Sequence, residues 1–315
     1  MIVRIFSILS LFIVTPAMAQ NFDHSAWGQL VERHVSSSNN GAISTVDYGQ
    51  FKLERSQLKS YLVALESIDQ TTFDGWATEE QLAFLINAYN AWTVELIVDS
   101  YPDVSSIREL GTITTSPWQK KFIPFLGATR SLDEIEHEMI RGSGRYNEPR
   151  IHFAVNCASI GCPALIDKPF EAATLDEQLE SATKAFLTDR MRNRLDADGL
   201  AVSSIFDWYR DDFEQGWRGA DTLEDFLVLY ADSLDLTAVQ TESLVDGDID
   251  IGFTDYDWRL NDIKAPAASA SSGGFSPIWL IRSFPIPATI AGLAILLMAY
   301  GLVRLIRKRR QAAAP

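Results

Sequence analysis

Cysteine and histidine are scarce in this 315-residue chain, which holds two of the first and four of the second. The cysteines, Cys157 and Cys162, lack the Cys-x-x-Cys spacing of thioredoxin-like oxidoreductases, so redox catalysis of that kind is not expected. Standard zinc spacing is missing too. His137, His152, Cys157 and Cys162 could make a zinc set only in a pattern that matches none of the usual motifs. Asp246-Gly-Asp-Ile-Asp250 resembles a calcium loop, but Ile251 stands where a sixth-position glycine belongs and Asp257 where a twelfth-position glutamate belongs. No metal and no cofactor is therefore expected. Internal repeats are absent as well.

Both ends lack acidic residues. All 42 Asp and Glu lie between Gln20 and Arg282, with 20 of the 27 basic residues, which gives that body a net charge of −22. Such a surface repels nucleic acid and anionic head groups, so neither is expected as a partner. What the ends do contain is apolar. Arg4 precedes a run from Ile5 to Val14, and Ala17-Met18-Ala19 gives the small-x-small signature of signal-peptidase cleavage before Gln20. Residues 1–19 are thus expected to be a signal peptide, and 20–262 an extracytoplasmic globular domain. A flexible tether at 263–283 includes Ala-Pro-Ala-Ala-Ser-Ala-Ser-Ser-Gly-Gly at 265–274, which has nothing to bury. Phe284 to Val303 carries no charge and is long enough to span a bilayer. Arg304, Arg307, Lys308, Arg309 and Arg310 follow at once and mark 304–315 as a cytoplasmic tail. The expected location is the bacterial cytoplasmic membrane, single-pass, with the body in the periplasm or outside.

Helix signals dominate the body. Thr78–Gln81, Ser131–Glu134 and Thr174–Glu177 each place a hydroxyl three residues before Glu or Gln, the spacing of a capping box. The first opens a helix with Leu82, Leu85, Ile86, Tyr89, Leu96 and Ile97 at helical spacing. The second is expected to run to about Arg141 and the third to about Arg194. Ile151–Cys157 is apolar and bounded by Pro149, and reads as a short buried strand, with further strands at Leu200–Ser204 and Asp248–Phe253. His24 and His34 read as surface residues of a polar N-terminal helix. At helical spacing Phe206, Tyr209 and Phe213 face the core, and Asp207 pairs with Arg210. The expected fold class is α+β: a helix-rich single globular domain with a small sheet, plus one C-terminal transmembrane helix.

Two segments carry the candidate chemistry. From Gln81 to Val94 no residue is charged and apolar side chains run nearly all round the helix, so it is buried on most sides. It nevertheless carries Asn87 and Asn90, whose carboxamides must either tie down a loop backbone or orient a catalytic group. The second segment is Ile151-His-Phe-Ala-Val-Asn-Cys-Ala-Ser-Ile-Gly-Cys-Pro163. Cys157 could be a nucleophile with His152 or His137 as base and Asn87, Asn90 or Glu134 as orienting group. Equally, Cys157 and Cys162 could form a disulfide, since an exported body is in an oxidising compartment.

Leu85-Ile-Asn-Ala-Tyr-Asn-Ala-Trp92, Ser116-Pro-Trp-Gln-Lys-Lys-Phe122, Ser131-Leu-Asp-Glu-Ile-Glu-His137, the cysteine segment and Tyr256-Asp-Trp-Arg-Leu-Asn261 together resemble the domain-of-unknown-function 547 family, from about Ala77 to Asn261. The resemblance implies an exported bacterial member and no established activity. Plant members resemble this chain at Cys157 and carry serine near Cys162, which implies that a disulfide is not obligatory.

Two functions of different class follow. One is a membrane-tethered binding or envelope-scaffold module with Cys157 and Cys162 oxidised, its partner an unidentified peptide, glycan or envelope protein. The other is a thiol-dependent hydrolase or transferase acting on a peptide-like bond, with Cys157 as nucleophile.

Overall fold

The computed structural model describes residues 21–264. The expected signal peptide, most of the tether, the transmembrane segment and the basic tail lie outside the described residues. Among the described residues no helix is long and apolar enough to cross a membrane.

Helix α1 (Ser25–His34) leads into strands β1 (Val35–Ser38) and β2 (Ile43–Val46), which pair antiparallel with Val35 opposite Val46. Helices α2 (Tyr48–Leu53) and α3 (Arg55–Glu66) then pack against the long helix α5 (Thr78–Ser100), into which the short helix α4 (Gln70–Asp74) leads. His24, Trp27, Leu30, Val31 and His34 fall on one helical seam and are all buried. That corrects the surface reading of the two histidines: His24 is 3% and His34 7% exposed. The seam spacing outweighs the polar composition of the helix.

Every residue of α5 from Glu80 to Val98 is buried, as the uncharged stretch predicts. Its start differs from expectation. Thr78 is the first helical residue and Ala77 the cap, so no capping box forms there. The Gln81 side chain that would have closed it goes elsewhere, donating to the Phe73 carbonyl at 3.0 Å, and its neighbour Glu80 accepts the Phe22 N–H at 2.7 Å.

Strands β3 (Ile123–Phe125) and β4 (Ala128–Arg130) form a hairpin that delivers Ser131. Here the expected capping box is present. The Ser131 N–H donates to Glu134 at 2.8 Å, and the Glu134 N–H to Ser131 Oγ at 3.1 Å. The helix that follows is wound wide, as a π-helix over Glu134–Ile140, and closes through a tight turn at Arg141–Ser143.

Ile151–Cys157 is not a strand. Pro149–Phe153 forms a 3₁₀ turn, with Pro149 in its first turn and the Glu148 carboxylate accepting the Arg150 N–H at 3.1 Å. The segment is apolar because it is packed in the interior, and proline's fixed φ starts a turn there instead of a ladder. Helix α6 (Leu175–Leu187) ends earlier than Arg194. Asn193 turns the chain: its side chain donates to the Phe186 carbonyl at 2.8 Å and accepts the Ser203 N–H at 3.1 Å. This sets β5 (Arg194–Asp196) antiparallel to β6 (Gly199–Ser203), and β6 runs parallel to β7 (Ile251–Thr254). Between β6 and β7 lie α7 (Ile205–Trp208), α8 (Arg210–Phe213), α9 (Leu223–Val228) and α10 (Ala238–Val245). The α+β reading holds, although among the described residues the strands make three small sheets where one was expected.

Among the described residues two apolar clusters fill the interior. One surrounds α5; the other gathers Phe153, Phe186, Phe206, Phe213 and Phe226 beneath α7–α9. Phe206 and Phe213 face this core as expected, while Arg210 pairs with Glu214 at 3.1 Å and not with Asp207.

Candidate functional site

The site is assembled on the loop after the Pro149–Phe153 turn, and α5 holds that loop in place. Asn90 donates to the Ala154 carbonyl at 2.9 Å and accepts the Asn156 N–H at 2.8 Å. Asn87 does the same one turn away for Phe170, donating at 2.7 Å and accepting at 3.0 Å. Both carboxamides are thus bound to backbone, and neither is hydrogen-bonded to a cysteine or histidine side chain. Asn156, which the sequence reading passed over, continues the bracket. It donates to the Pro163 carbonyl at 2.7 Å and accepts the Ala158 N–H at 2.9 Å. Ala158 needs that support, because its φ of 61° lies in the left-handed region that costs a non-glycine residue about 1 kcal/mol.

Within this loop Cys157 and Cys162 are joined by a disulfide. A cysteine pair bonded in this way is not a thiolate zinc set. Cys162 is buried, with 2% of its surface exposed, whereas Cys157 is partly exposed. Two hydroxyls converge on the sulfurs. Tyr256 Oη lies 3.1 Å from each sulfur, and Ser159 Oγ lies 3.1 Å from Cys162 Sγ and 3.3 Å from Cys157 Sγ. The Cys157 N–H also points at Cys162 Sγ, at 3.0 Å. Burial pushes the Tyr256 phenol above its usual range, so it remains protonated and able to donate. No imidazole is among the hydrogen-bond partners of either sulfur.

The histidines are committed elsewhere. His152, fully enclosed, places Nε2 2.6 Å from Asp212 Oδ2 and stacks on Tyr209 with ring centroids 4.0 Å apart. Burial depresses the His152 pKa despite the favourable Asp212 bond, so the ring is neutral and donates Nε2–H to the carboxylate. Burial alone would raise Asp212, but hydrogen bonds from His152 and Arg141 hold it well below the usual carboxylate range. Arg141 spans two groups: Nε meets Asp212 at 2.5 Å, and Nη1 donates to His137 Nδ1 at 2.9 Å. Glu134, the other candidate orienting group, is taken by its cap and by Lys121 at 3.0 Å. The structure therefore brings His137 and His152 together around Arg141, Asp212 and Tyr209, and leaves Cys157 outside that set.

Glu136 is a second residue the sequence reading passed over. It is buried on the wide π-helical turn, and after burial its carboxylate is the next cause raising the phenols of both Tyr89 and Tyr209. The Ser131–His137 motif contained it, but nothing in the spacing distinguished it from Glu134. Among the described residues no group of three or more His, Cys, Asp or Glu is placed to hold a metal ion.

Above the disulfide lies a half-buried aromatic layer. Tyr256 packs against Trp258 at 4.5 Å and Trp208 at 4.8 Å, and Trp118 meets Trp258 edge-on at 5.7 Å. The Arg108 guanidinium sits 5.3 Å over the Trp258 ring. These four rings come from the Ser116–Phe122 segment, from α7 and from the Tyr256–Asn261 segment. The last is fastened to the cysteine loop by backbone bonds from Ile160 to Arg259 and from Gly161 to Asp257, both 2.9 Å.

A helix-rich α+β domain with a disulfide-closed loop bracketed by a buried asparagine helix is the class these features define. Residues 73–187 match the family model described as protein of unknown function, DUF547, so this segment is similar to that family. The match contains both asparagines and both cysteines, and it stops before the Tyr256–Asn261 motif. No curated protein and no solved structure matches the chain.

Proposed function

We propose that this chain is a membrane-anchored, extracytoplasmic binding module whose partner-facing surface is the aromatic layer of Trp118, Trp208, Tyr256 and Trp258. The observation that carries the choice over a thiol hydrolase is the separation of the two chemistries. Cys157 is bonded to Cys162 beneath hydroxyls, while His152 is stacked under Tyr209 and bonded to Asp212. A nucleophilic thiol needs a free sulfur with a base within hydrogen-bond reach, and this arrangement supplies neither. Tryptophan, tyrosine and arginine together are the composition of binding hot spots, which favours a protein or peptide partner. The anchor and the exported location rest on the apolar run at 284–303 with its basic flank and on the signal-like segment at 1–19.

Alkylation tests this reading. The full-length chain, held in detergent micelles, is treated with iodoacetamide across a pH series, with and without prior reduction, and labels are located by mass spectrometry. Neither cysteine is expected to label before reduction. Labelling of Cys157 without reduction, persisting well below the ordinary thiol pKa of about 8.5, restores the hydrolase and overturns the binding module. Protease digestion of intact cells checks the topology: the body is cleaved from outside and the basic tail is protected.

A further inference from the structure

We infer that the Cys157–Cys162 bond is a thiol–disulfide exchange centre for peptide or protein thiols, in which Cys157 is the sulfur attacked and Cys162 the leaving group. The two sulfurs are not equivalent. Cys157 is partly exposed, and Cys162 is enclosed. A thiol arriving from solvent therefore meets Cys157 first, and exchange rates depend on which sulfur is accessible.

The surroundings of Cys162 match the leaving role. Its Sγ receives the Cys157 N–H at 3.0 Å and the Tyr256 hydroxyl at 3.1 Å, with Ser159 Oγ also at 3.1 Å. Only the amide is exclusive to Cys162, since both hydroxyls also approach Cys157. A backbone N–H is fixed in place and is already aimed at the sulfur on which charge develops. A cation is close by. Arg192 donates to the Ile160 carbonyl of the same loop at 2.6 Å, and its charge opposes the burial-driven rise of the Tyr256 pKa. Hydrogen-bond donors and a neighbouring guanidinium both favour a thiolate, and a better thiolate leaves faster. The five-residue separation differs from that of thioredoxin-like motifs, but exchange requires only an accessible sulfur and a stabilised leaving group.

The electron count closes without another reagent. The incoming thiolate gives its pair to a new bond with Cys157 Sγ. The Cys157–Cys162 bond breaks, and its pair stays on Cys162. A second substrate thiolate then attacks the substrate sulfur of the mixed disulfide and releases Cys157. Two substrate thiols are oxidised to one disulfide, the cysteine pair is reduced, and the two substrate protons end on Cys157 and Cys162. This inference adds chemistry to the loop beneath the aromatic layer and does not rest on the binding reading.

The probe is reduced glutathione, added to the full-length chain in detergent micelles and quenched with N-ethylmaleimide before mass spectrometry. The expected product carries glutathione on Cys157 and maleimide on Cys162, in at least about tenfold excess over the reverse adduct. Tyr256→Phe keeps the ring and removes the hydroxyl, and is expected to slow exchange about tenfold while raising the pH at which Cys162 becomes a thiolate in the reduced chain. Glutathione on Cys162, or a bond that resists glutathione until the chain is unfolded in guanidinium, overturns the assignment. So does an unchanged rate in a folded Tyr256→Phe chain. If that variant does not fold, the adduct position in the wild type decides alone. An inert but oxidised pair sinks this inference and leaves the binding module standing, whereas a thiol that labels without reduction sinks the binding module itself.

Discussion

His152 Nε2 donates to Asp212 Oδ2 across 2.6 Å, and that bond ties the turn that leads into the cysteine loop to helix α8. Arg141 closes on the same carboxylate from the tight turn that ends the π-helix, so three parts of the chain meet at one side chain. A small cavity bounded by Arg141, Tyr146, Glu148 and Gln215 opens onto it.

Asp212→Asn removes the charge that Arg141 faces and is expected to cost about 3 kcal/mol at neutral pH, because it leaves a largely enclosed guanidinium unpaired. The pH dependence has a definite sign. The folded pKa of Asp212 is depressed, so its stabilisation is complete above the unfolded carboxylate value of about 3.9 and disappears as pH falls through the folded one. Urea titrations at a series of pH values should therefore show the wild type and Asp212→Asn converging only in strong acid. A gap that stays constant down to the lowest pH at which both fold would refute the assignment.

Burial lowers the His24 pKa to about 4, with Asp23 only partly opposing it. Nδ1 lies 2.7 Å from the Tyr61 hydroxyl in an enclosed site. A histidine depressed in the fold binds its proton first in the unfolded chain. Stability is therefore complete above the unfolded value of about 6.5 and is lost as pH falls from there toward 4. His152 is shifted the same way, also chiefly by burial, and adds to the slope. The melting temperature should fall between neutral pH and pH near 4, and His24→Asn should flatten that fall whatever it does to stability at pH 7. Parallel profiles for the two chains would contradict the buried, neutral His24.

Much of this was legible beforehand because it follows from local rules. The uncharged run of α5 announced a buried helix, and the Ser131–Glu134 cap formed as its spacing indicates. Long-range partners were not legible. Asp212 lies 60 residues from His152, and Tyr256 lies 99 from Cys157, separations at which no periodicity carries information. The strand expected at Ile151–Cys157 failed for a different reason. β-branched and apolar residues report burial, and Pro149 with the Glu148 cap decided the backbone. Even where the sequence posed the right question, as for Asn87 and Asn90, only the fold showed that their amides bind backbone.

Asn90→Ala strips the Ala154 carbonyl and the Asn156 N–H of their partners inside the protein. The expected loss is about 3 kcal/mol, since each orphaned buried group costs roughly 1–3 kcal/mol. The damage should be local first. Hydrogen exchange at Asn156 and in the loop up to Leu165 should accelerate before that of α5, because the helix keeps its own ladder. Uniform acceleration across both would mean that Asn90 contributes only to global stability and not to positioning the loop.

Gly161 fixes how closely the Tyr256–Asn261 segment approaches the cysteine loop. A Cβ built there would stand 2.9 Å from three atoms of the Tyr256 ring, closer than van der Waals contact allows. The Gly161 N–H meanwhile holds the Asp257 carbonyl at 2.9 Å, so the loop cannot withdraw without giving up that bond. Gly161→Ala must therefore displace Tyr256, and with it the rings of Trp208 and Trp258 that pack on it. The expected signature is tryptophan emission shifted to longer wavelength as those rings gain water, with a modest loss of stability of about 1–2 kcal/mol from overpacking. Removing the obstacle should restore the wild-type spectrum in part: Gly161→Ala combined with Tyr256→Ala should be less destabilised than the two single changes added together. Strict additivity would show that the two residues do not press on each other, and that the aromatic layer is held over the disulfide by something other than this contact.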